Sequence, residues 1–103
     1  MSDEIEHIHL DFERMFPEAA RRVRVLEELK RSWPSVVGPF ASRHSVPSVL
    51  GVNAITVSVD SDNAVPEVRK SKGNIMRALS SRFGCKTDKD FTLTINFTPQ
   101  LRT

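Results

Sequence analysis

Residues 33–47 constrain the fold more than any other part of the chain, because they concentrate conformationally restricted residues. This stretch contains the only tryptophan, three of the six prolines and one of the four glycines. Pro34 and Pro39 have no backbone N–H and a fixed φ, so each is best placed in the first turn of a helix. Pro47 disfavours helical geometry at the residue before it. The stretch therefore predicts a corner, in which a short helix over residues 34–44 is followed by a strand.

Apolar residues at steps of three and four predict a helix on either side of this corner. The first spans residues 17–32 and the last spans residues 64–83, where Gly84 is a suitable residue to end it. Lys72 interrupts the apolar stripe of the last helix and Gly73 weakens it, so a bend or break is expected there. The predicted buried positions are Ala19, Val23, Leu26, Leu29 and Trp33 in the first helix, Val36, Val37, Phe40, Ala41 and His44 in the corner helix, and Val65, Val68, Ile75, Met76, Leu79 and Phe83 in the last helix.

Alternation of apolar and polar residues predicts three strands, over residues 46–52, 54–60 and 91–97. The apolar sets are Ile55, Val57 and Val59 in the second strand, and Phe91, Leu93, Ile95 and Phe97 in the third. The intervening positions are polar, so one face of the sheet should be buried and the other should face water. The predicted fold is an α+β domain of order α-α-β-β-α-β, with helices packed on one face of a three-stranded sheet.

The beginning of the chain differs in charge from the rest. Residues 1–18 contain six acids and one base, a net charge of −5, whereas residues 19–103 contain fourteen bases and seven acids, a net charge of +7. The predicted organisation is an acidic N-terminal segment (1–16), a single domain (17–98) and a short tail (99–103). The acidic segment is predicted to be helical, with a strand as the alternative because Ile8, Leu10 and Phe12 alternate with polar residues.

Composition excludes several classes of protein. Hydrophobic residues make up 39% and charged residues 27% of the chain, which is typical of a soluble globular domain. The first residues are acidic, where a secretory signal would be basic and then apolar. The single cysteine, Cys85, cannot form an internal disulfide and is typical of a reducing compartment. We therefore expect a cytoplasmic protein that does not enter a membrane.

The sequence contains no pattern typical of an active site. His7 and His9 would share one side of a strand with Asp11, but a metal site needs more ligands than this group offers. Cys85 has no nearby base with which to form a nucleophilic pair. A Gly-rich phosphate-binding loop is also missing from the sequence. We expect a protein that is not an enzyme and that uses no cofactor, metal or small-molecule substrate.

Basic residues on helices are the best candidates for function. Six bases and no acid lie between Arg69 and Lys86. Such side chains would bind nucleic acid through its phosphates, without sequence preference and with strong salt dependence. The candidate nucleic-acid-binding residues are Arg69, Lys70, Lys72, Arg77, Arg43, Arg21, Arg22 and Arg24. An ordinary solvated helix surface would explain the same pattern and stays open as an alternative.

The corner resembles the DciA family, bacterial proteins associated with loading or operating the replicative helicase. The residues that match the family pattern are Trp33, Val36, Val37, Gly38, Ala41, His44, Ser45 and Pro47. The resemblance covers about residues 19–98. It implies a KH-like fold, a role in bacterial DNA replication and a DnaB-type replicative helicase as the protein partner. Five of the matching residues are expected to be structural, namely Trp33, Val37, Gly38, His44 and Pro47.

Two departures accompany this resemblance. Relatives usually carry a tryptophan where the last helix begins, and this chain has Asn63, Ala64, Val65 and Pro66 there. The Gly-x-x-Gly loop with which KH domains clamp a nucleic-acid backbone is absent, since no two glycines are three residues apart. Two functions follow as hypotheses. The first is a helicase-associated protein that binds single- or double-stranded DNA, with RNA not distinguished; the second is a protein-interaction adaptor that binds no nucleic acid and docks its acidic N-terminus on a basic surface.

Overall fold

A computed structural model of the chain describes residues 14–98, in which helices cover one face of a three-stranded sheet. The helices are α1 (Pro17–Arg31), α2 (Trp33–Val37), α3 (Pro39–Arg43), α4 (Ala64–Lys70) and α5 (Lys72–Phe83), and the strands are β1 (Ser45–Gly51), β2 (Ala54–Val59) and β3 (Thr92–Phe97). The predicted α+β class and order of elements are confirmed, with the corner helix and the last helix each divided in two. The predictions for the acidic segment up to residue 13 and for the tail 99–103 lie outside the described residues.

The central strand β2 organises the sheet. It pairs with β1 in antiparallel orientation and with β3 in parallel orientation. A parallel pair requires a crossover connection, which α4 and α5 supply between β2 and β3. Ile55, Val57 and Val59 point into the core and are almost completely buried, as the alternation predicts. The helices therefore lie on the face of the sheet to which these three residues point.

Helix α1 buries the predicted Leu26 and Leu29, but not the first two residues of the predicted stripe. Its buried residues include Val25, Leu26 and Leu29, whereas Val23 has 52% of its surface exposed and Ala19 is half-buried. The prediction for Val23 is wrong because α1 packs along β1, an edge strand of the sheet. Because an edge strand can cover only one side of α1, apolar residues on the other side of α1 face solvent.

The corner consists of two single-turn helices separated by Gly38. Its φ of +93° lies in a region that residues with a side chain rarely adopt, which explains the glycine at this position. Pro34 and Pro39 each lie in the first turn of their helix, as predicted. The change of direction at Gly38 rotates α3 relative to α2, so the predicted stripe does not continue across it. Phe40 is consequently exposed, and its ring stacks at a tilt on the His44 ring, with 5.1 Å between centroids.

A chain of two hydrogen bonds holds the corner against the sheet. The Trp33 side chain, only 3% exposed, donates from Nε1 to the Ser45 Oγ at 2.9 Å. The Ser45 hydroxyl in turn donates to the Ala41 carbonyl oxygen at 2.5 Å. Buried polar groups need such partners to offset the loss of water. The chain of bonds therefore links α2, α3 and the first residue of β1.

The expected break in the last helix occurs at Ser71, one residue before Lys72. The Ser71 hydroxyl and N–H both donate to the Glu67 carbonyl oxygen, at 2.8 and 3.2 Å, and close the end of α4. Helix α5 ends at Gly84, which has the left-handed conformation expected of a glycine in that place. The Arg21 guanidinium of α1 donates to the Phe83 carbonyl oxygen at 2.8 Å and satisfies one of the free acceptors at this end.

Strand β3 is only partly covered by the helices. Phe91 is buried just before the strand, Leu93 and Ile95 are half-buried, and Phe97 is 52% exposed. The predicted burial of Phe97 is therefore wrong. The Phe97 side chain lies on the core-facing side of β3, which is an edge strand. The helices cover less of this strand towards its C-terminal end.

The segment before β3 is anchored to the turn between β1 and β2. Asn53 donates from Nδ2 to the Asp88 carboxylate at 2.6 Å and accepts from the Asp88 N–H at 3.0 Å. The Asp90 N–H donates to the same carboxylate at 2.9 Å. The hydrogen bond from the Asp90 N–H, and to a lesser degree the one from Asn53, lowers the pKa of the Asp88 carboxyl group below its ordinary value. The anchor brings β3 into register beside β2, where Thr92 pairs with Ala54.

We expect Ser45→Ala to lower the free energy of unfolding by about 1–3 kcal/mol, because the Trp33 N–H would lose its partner in the core. The measurement is urea denaturation followed by circular dichroism. A double-mutant cycle with Trp33→Phe isolates the bond, since Ser45→Ala should be less costly where no indole N–H is present. Equal costs in both backgrounds would contradict the proposed role of the bond.

Candidate nucleic-acid interface

The exposed bases of α4 and α5 lie on a part of the chain that has no acidic residue from Val68 to Thr87. We call Arg69, Lys70, Lys72, Arg77 and Arg82 the α4–α5 basic surface. All are exposed except Lys72, which is half-buried at the start of α5. The break at Ser71 places Arg69, Lys70 and Lys72 around the junction of the two helices. Four of the eight predicted residues, namely Arg69, Lys70, Lys72 and Arg77, therefore lie on α4 and α5, with the first three at the junction and Arg77 further along α5.

Ion pairing distinguishes this surface from α1. On α1, Lys30 pairs with Glu27 at 3.1 Å and Arg31 pairs with Glu28 at 3.0 Å. On the α4–α5 basic surface, Lys70 has such a partner within residues 14–98, the Glu67 carboxylate at 3.3 Å. Within residues 14–98, the other four cations have no carboxylate at salt-bridge distance. Among the described residues, no carboxylate therefore neutralises their charge.

The remaining predicted residues do not join this surface. Arg21 bonds to the C-terminal end of α5, as described above, and so has a structural contact. Arg22 is half-buried and lines a groove between α1 and β1. Arg24 lies on the exposed side of α1, and Arg43 is exposed at the end of α3. Helix α3 packs on α4, so Arg43 is a neighbour of the basic surface, whereas α1 packs along β1.

A groove of about 300 Å³ runs between α2 and α5. We call it the α2–α5 groove, and its lining residues are Ser35, Val36, Asn74, Arg77, Ala78, Ser81 and Arg82. Asn74 connects its two walls by donating from Nδ2 to the Val36 carbonyl oxygen at 3.4 Å. The groove was not predicted, because Ser35 and Arg82 are distant in sequence. Arg82 belongs to the run from Val68 to Thr87 that contains no acidic residue. Its position beside a groove, however, follows only from the packing of α2 on α5.

A second groove, apolar and of about 270 Å³, separates α1 from β1. We call it the α1–β1 groove, and its lining residues are Ala19, Arg22, Val23, Leu26, Ser48, Val49 and Leu50. Val23 and Val49 are 52% and 58% exposed there, and Arg22 contributes the one charge. The two grooves share no residue. The molecule therefore offers a basic recess and an apolar recess that are separate.

The residues of the family pattern lie inside the corner rather than on the basic surface. Val37 is buried and Pro47 is fully buried. The His44 Nδ1 lies 2.9 Å from the Asp60 Oδ1, so the His44 side chain contacts a carboxylate of the residue that follows β2. Where relatives carry a tryptophan, α4 begins with Ala64, which is fully buried, and α4 packs on α3.

On the face of the sheet away from the helices, the described part of the chain has polar side chains from β2 and β3, and Val46 and Val49 from β1, but no aromatic side chain. Register pairs Thr56 with Thr94 and Ser58 with Asn96, so these four residues share this open face. Single-stranded nucleic acid commonly stacks its bases on exposed aromatic rings. Phe97, the exposed ring of β3, lies on the opposite side of the strand. The described residues of the open face therefore offer no platform for base stacking.

Residues 14–98 contain no group of three or more His, Cys, Asp or Glu side chains that could hold a metal ion. His7 and His9, which were not expected to form a metal site, lie outside these residues. Over the same residues, no helix is both long enough and apolar enough to cross a membrane.

Comparison with known families gives one match. The family model described as "Dna[CI] antecedent, DciA" matches residues 12–88, which is 77 of the 103 residues. The matched region contains the corner, β1, β2 and the whole α4–α5 basic surface, and it ends before β3. No protein with a curated description matches the chain significantly.

Proposed function

The chain belongs to the DciA family, which is associated with loading of the bacterial replicative helicase, and we propose that it binds nucleic acid through the α4–α5 basic surface while it contacts a DnaB-type helicase. The family is not known as an enzyme family, and we propose a non-enzymatic role in DNA replication. The observation that carries the nucleic-acid part is the group of four exposed or half-exposed cations without a carboxylate partner in the described part of the chain.

Unpaired cations favour phosphate binding for a physical reason. A base that already pairs with a carboxylate must lose that contact before it can bind a phosphate. Arg69, Lys72 and Arg77 have no such contact to lose among the described residues. Binding to a polyanion releases condensed counterions from the nucleic acid, and this release drives the association. An ordinary solvated helix surface would more often resemble α1, where neighbouring acids and bases neutralise each other.

We expect the triple variant Arg69→Gln, Lys72→Gln and Arg77→Gln to bind a labelled single-stranded oligonucleotide at least about tenfold more weakly at low salt. The slope of log affinity against log salt should fall by about 0.7 for each phosphate contact that is lost. Fluorescence anisotropy at several salt concentrations measures both quantities.

The control variant is Lys30→Gln, Arg31→Gln and Lys89→Gln. It also removes three positive charges, but outside the α4–α5 basic surface. Equal weakening of both variants would contradict a localised binding surface. Absence of binding by the wild-type chain at low salt would favour the alternative function, an adaptor that contacts only proteins.

We propose that the helicase contact uses the α1–β1 groove. Its exposed Val23 and Val49 offer apolar surface, and burial of such surface is the main favourable contribution to most protein associations. Arg22 at the groove suits a partner segment that carries an acidic residue beside an apolar one. Because the two grooves share no residue, helicase and nucleic acid would not compete for the same side chains.

We expect Val23→Glu and Val49→Glu each to weaken retention of a purified DnaB-type helicase in a pull-down, by about tenfold in affinity or more, since each variant places a charge on a surface to be buried. Val52→Glu is the matched control, because Val52 is 72% exposed and lies outside this groove. Wild-type affinity in both groove variants would contradict the location. Failure of the wild-type chain to retain the helicase would contradict the partner itself.

A further inference from the structure

We infer that the α2–α5 groove is a binding site for one phosphate group, with its attached sugar, of a single nucleic-acid strand. This inference rests on the proposed binding of nucleic acid and deepens it, since it names the form of the ligand and the place of contact. The argument depends on three properties of the groove, which are its paired arginines, its free hydroxyl and its apolar floor.

Two arginines border the groove on the α5 side. Arg77 and Arg82 are five residues apart, which corresponds to an axial distance of about 7.5 Å along the helix. A guanidinium group presents a planar fork of donors that matches the oxygen atoms of a phosphate. None of the described residues that line the groove is acidic, so a bound anion would meet no like charge from them. This composition favours a phosphate over a cation or a neutral ligand.

Neutral contacts hold both arginines in place. Arg77 donates from Nη1 to the Asn74 Oδ1 at 3.4 Å, and Asn74 is in turn bonded to α2 through the Val36 carbonyl oxygen. The Arg82 guanidinium lies over the Phe83 ring, 5.7 Å from its centroid. Neither contact neutralises the positive charge. Side chains that are already oriented lose less entropy when they bind, so the site is partly preorganised.

The polar rim of the groove includes serine hydroxyls from both helices. Ser81 of α5 has no hydrogen-bond partner within the described part of the chain, and its hydroxyl is available to a phosphate oxygen. Ser35 of α2 faces it from the other wall and donates to the Ser32 carbonyl oxygen at 2.7 Å. A phosphate would therefore meet arginine donors and a hydroxyl donor in one recess.

The floor and the size of the groove favour a single strand over a duplex. Val36 and Ala78 form an apolar floor, which a free phosphate ion would not use but a sugar can cover. The volume of about 300 Å³ is at the low end for ligand sites and suits a single small unit. A duplex presents its phosphates on a rigid, convex surface, whereas a single strand can bend into a recess between two helices. Basic grooves that follow the backbone are typical of single-strand-binding proteins.

The test compares two adjacent serines of α5 that receive the same change. Ser81→Glu places a carboxylate in the groove, whereas Ser80→Glu places it about 100° around the helix, outside the groove. Ser80 and Ser81 are both exposed, so both variants should fold, and urea denaturation checks this. We expect Ser81→Glu to weaken binding of a single-stranded oligonucleotide by at least about tenfold, and Ser80→Glu by no more than about threefold.

A second pair of variants leaves the net charge unchanged and so distinguishes filling of the groove from a general electrostatic effect. Ser81→Phe should fill the groove and weaken binding at the same net charge, whereas Ser80→Phe should leave the affinity within about twofold of wild type. The wild-type chain should also bind the single strand more tightly than a duplex of equal length.

Equal losses for the two serine positions would overturn the groove as the binding site and leave the α4–α5 basic surface in place. Equal or tighter binding of the duplex would overturn the single strand as the ligand. Absence of any binding by the wild-type chain would instead overturn the proposed function on which the inference rests.

Discussion

The hydrogen bond from the Trp33 indole to Ser45 anchors the corner helices to the first strand of the sheet. It connects the start of α2 to the first residue of β1, and the Ser45 hydroxyl continues the connection to the end of α3. With α2 fixed in this way, the carbonyl oxygen of Val36 meets Asn74 of α5. The α2–α5 groove therefore depends on a bond in the core that touches no ligand. This dependence gives a physical reason why Trp33 and Ser45 belong to the family pattern. The proposed binding residues lie elsewhere.

The distribution of ion pairs is the second constraint on function. A surface with many bases binds phosphates well only if those bases are not already neutralised by neighbouring carboxylates. The chain contains both arrangements, since the bases at the end of α1 are paired, while those of α5 have no carboxylate partner among the described residues. The net charge of +2 does not show this difference, because it adds the charges of paired and unpaired surfaces together. Local pairing, and not total charge, carries the proposal of a nucleic-acid interface.

Local patterns in the sequence predict the elements and their ends, and they fail where burial depends on distant neighbours. Pro34, Pro39 and Gly84 act through their own backbone geometry, so their places in the helices follow from the sequence alone. The exposed Val23 and Phe97 could not be predicted, because each lies on or against an edge strand and periodicity does not say which strands are edges.

The candidate site was predictable to a similar degree. The acid-free run located the basic surface, because it is a property of consecutive residues on α4 and α5. The contact of Arg21 with the end of α5 joins residues 62 positions apart, and no local signal marks it. The same holds for the α2–α5 groove, whose walls come from two helices that are separated by the sheet's first hairpin. Charge along the chain therefore indicated the region, and tertiary packing determined which side chains form the recess.

Residue-resolved NMR is the most direct test of the claim that a single strand binds in the α2–α5 groove. Titration of the isotope-labelled chain with a short single-stranded oligonucleotide should shift the amide signals of Ser35, Asn74 and Ser81, and added salt should reverse these shifts. The signals of Thr56 and Thr94 on the open face of the sheet should stay in place. Shifts confined to the open face, with the groove residues unchanged, would contradict the account.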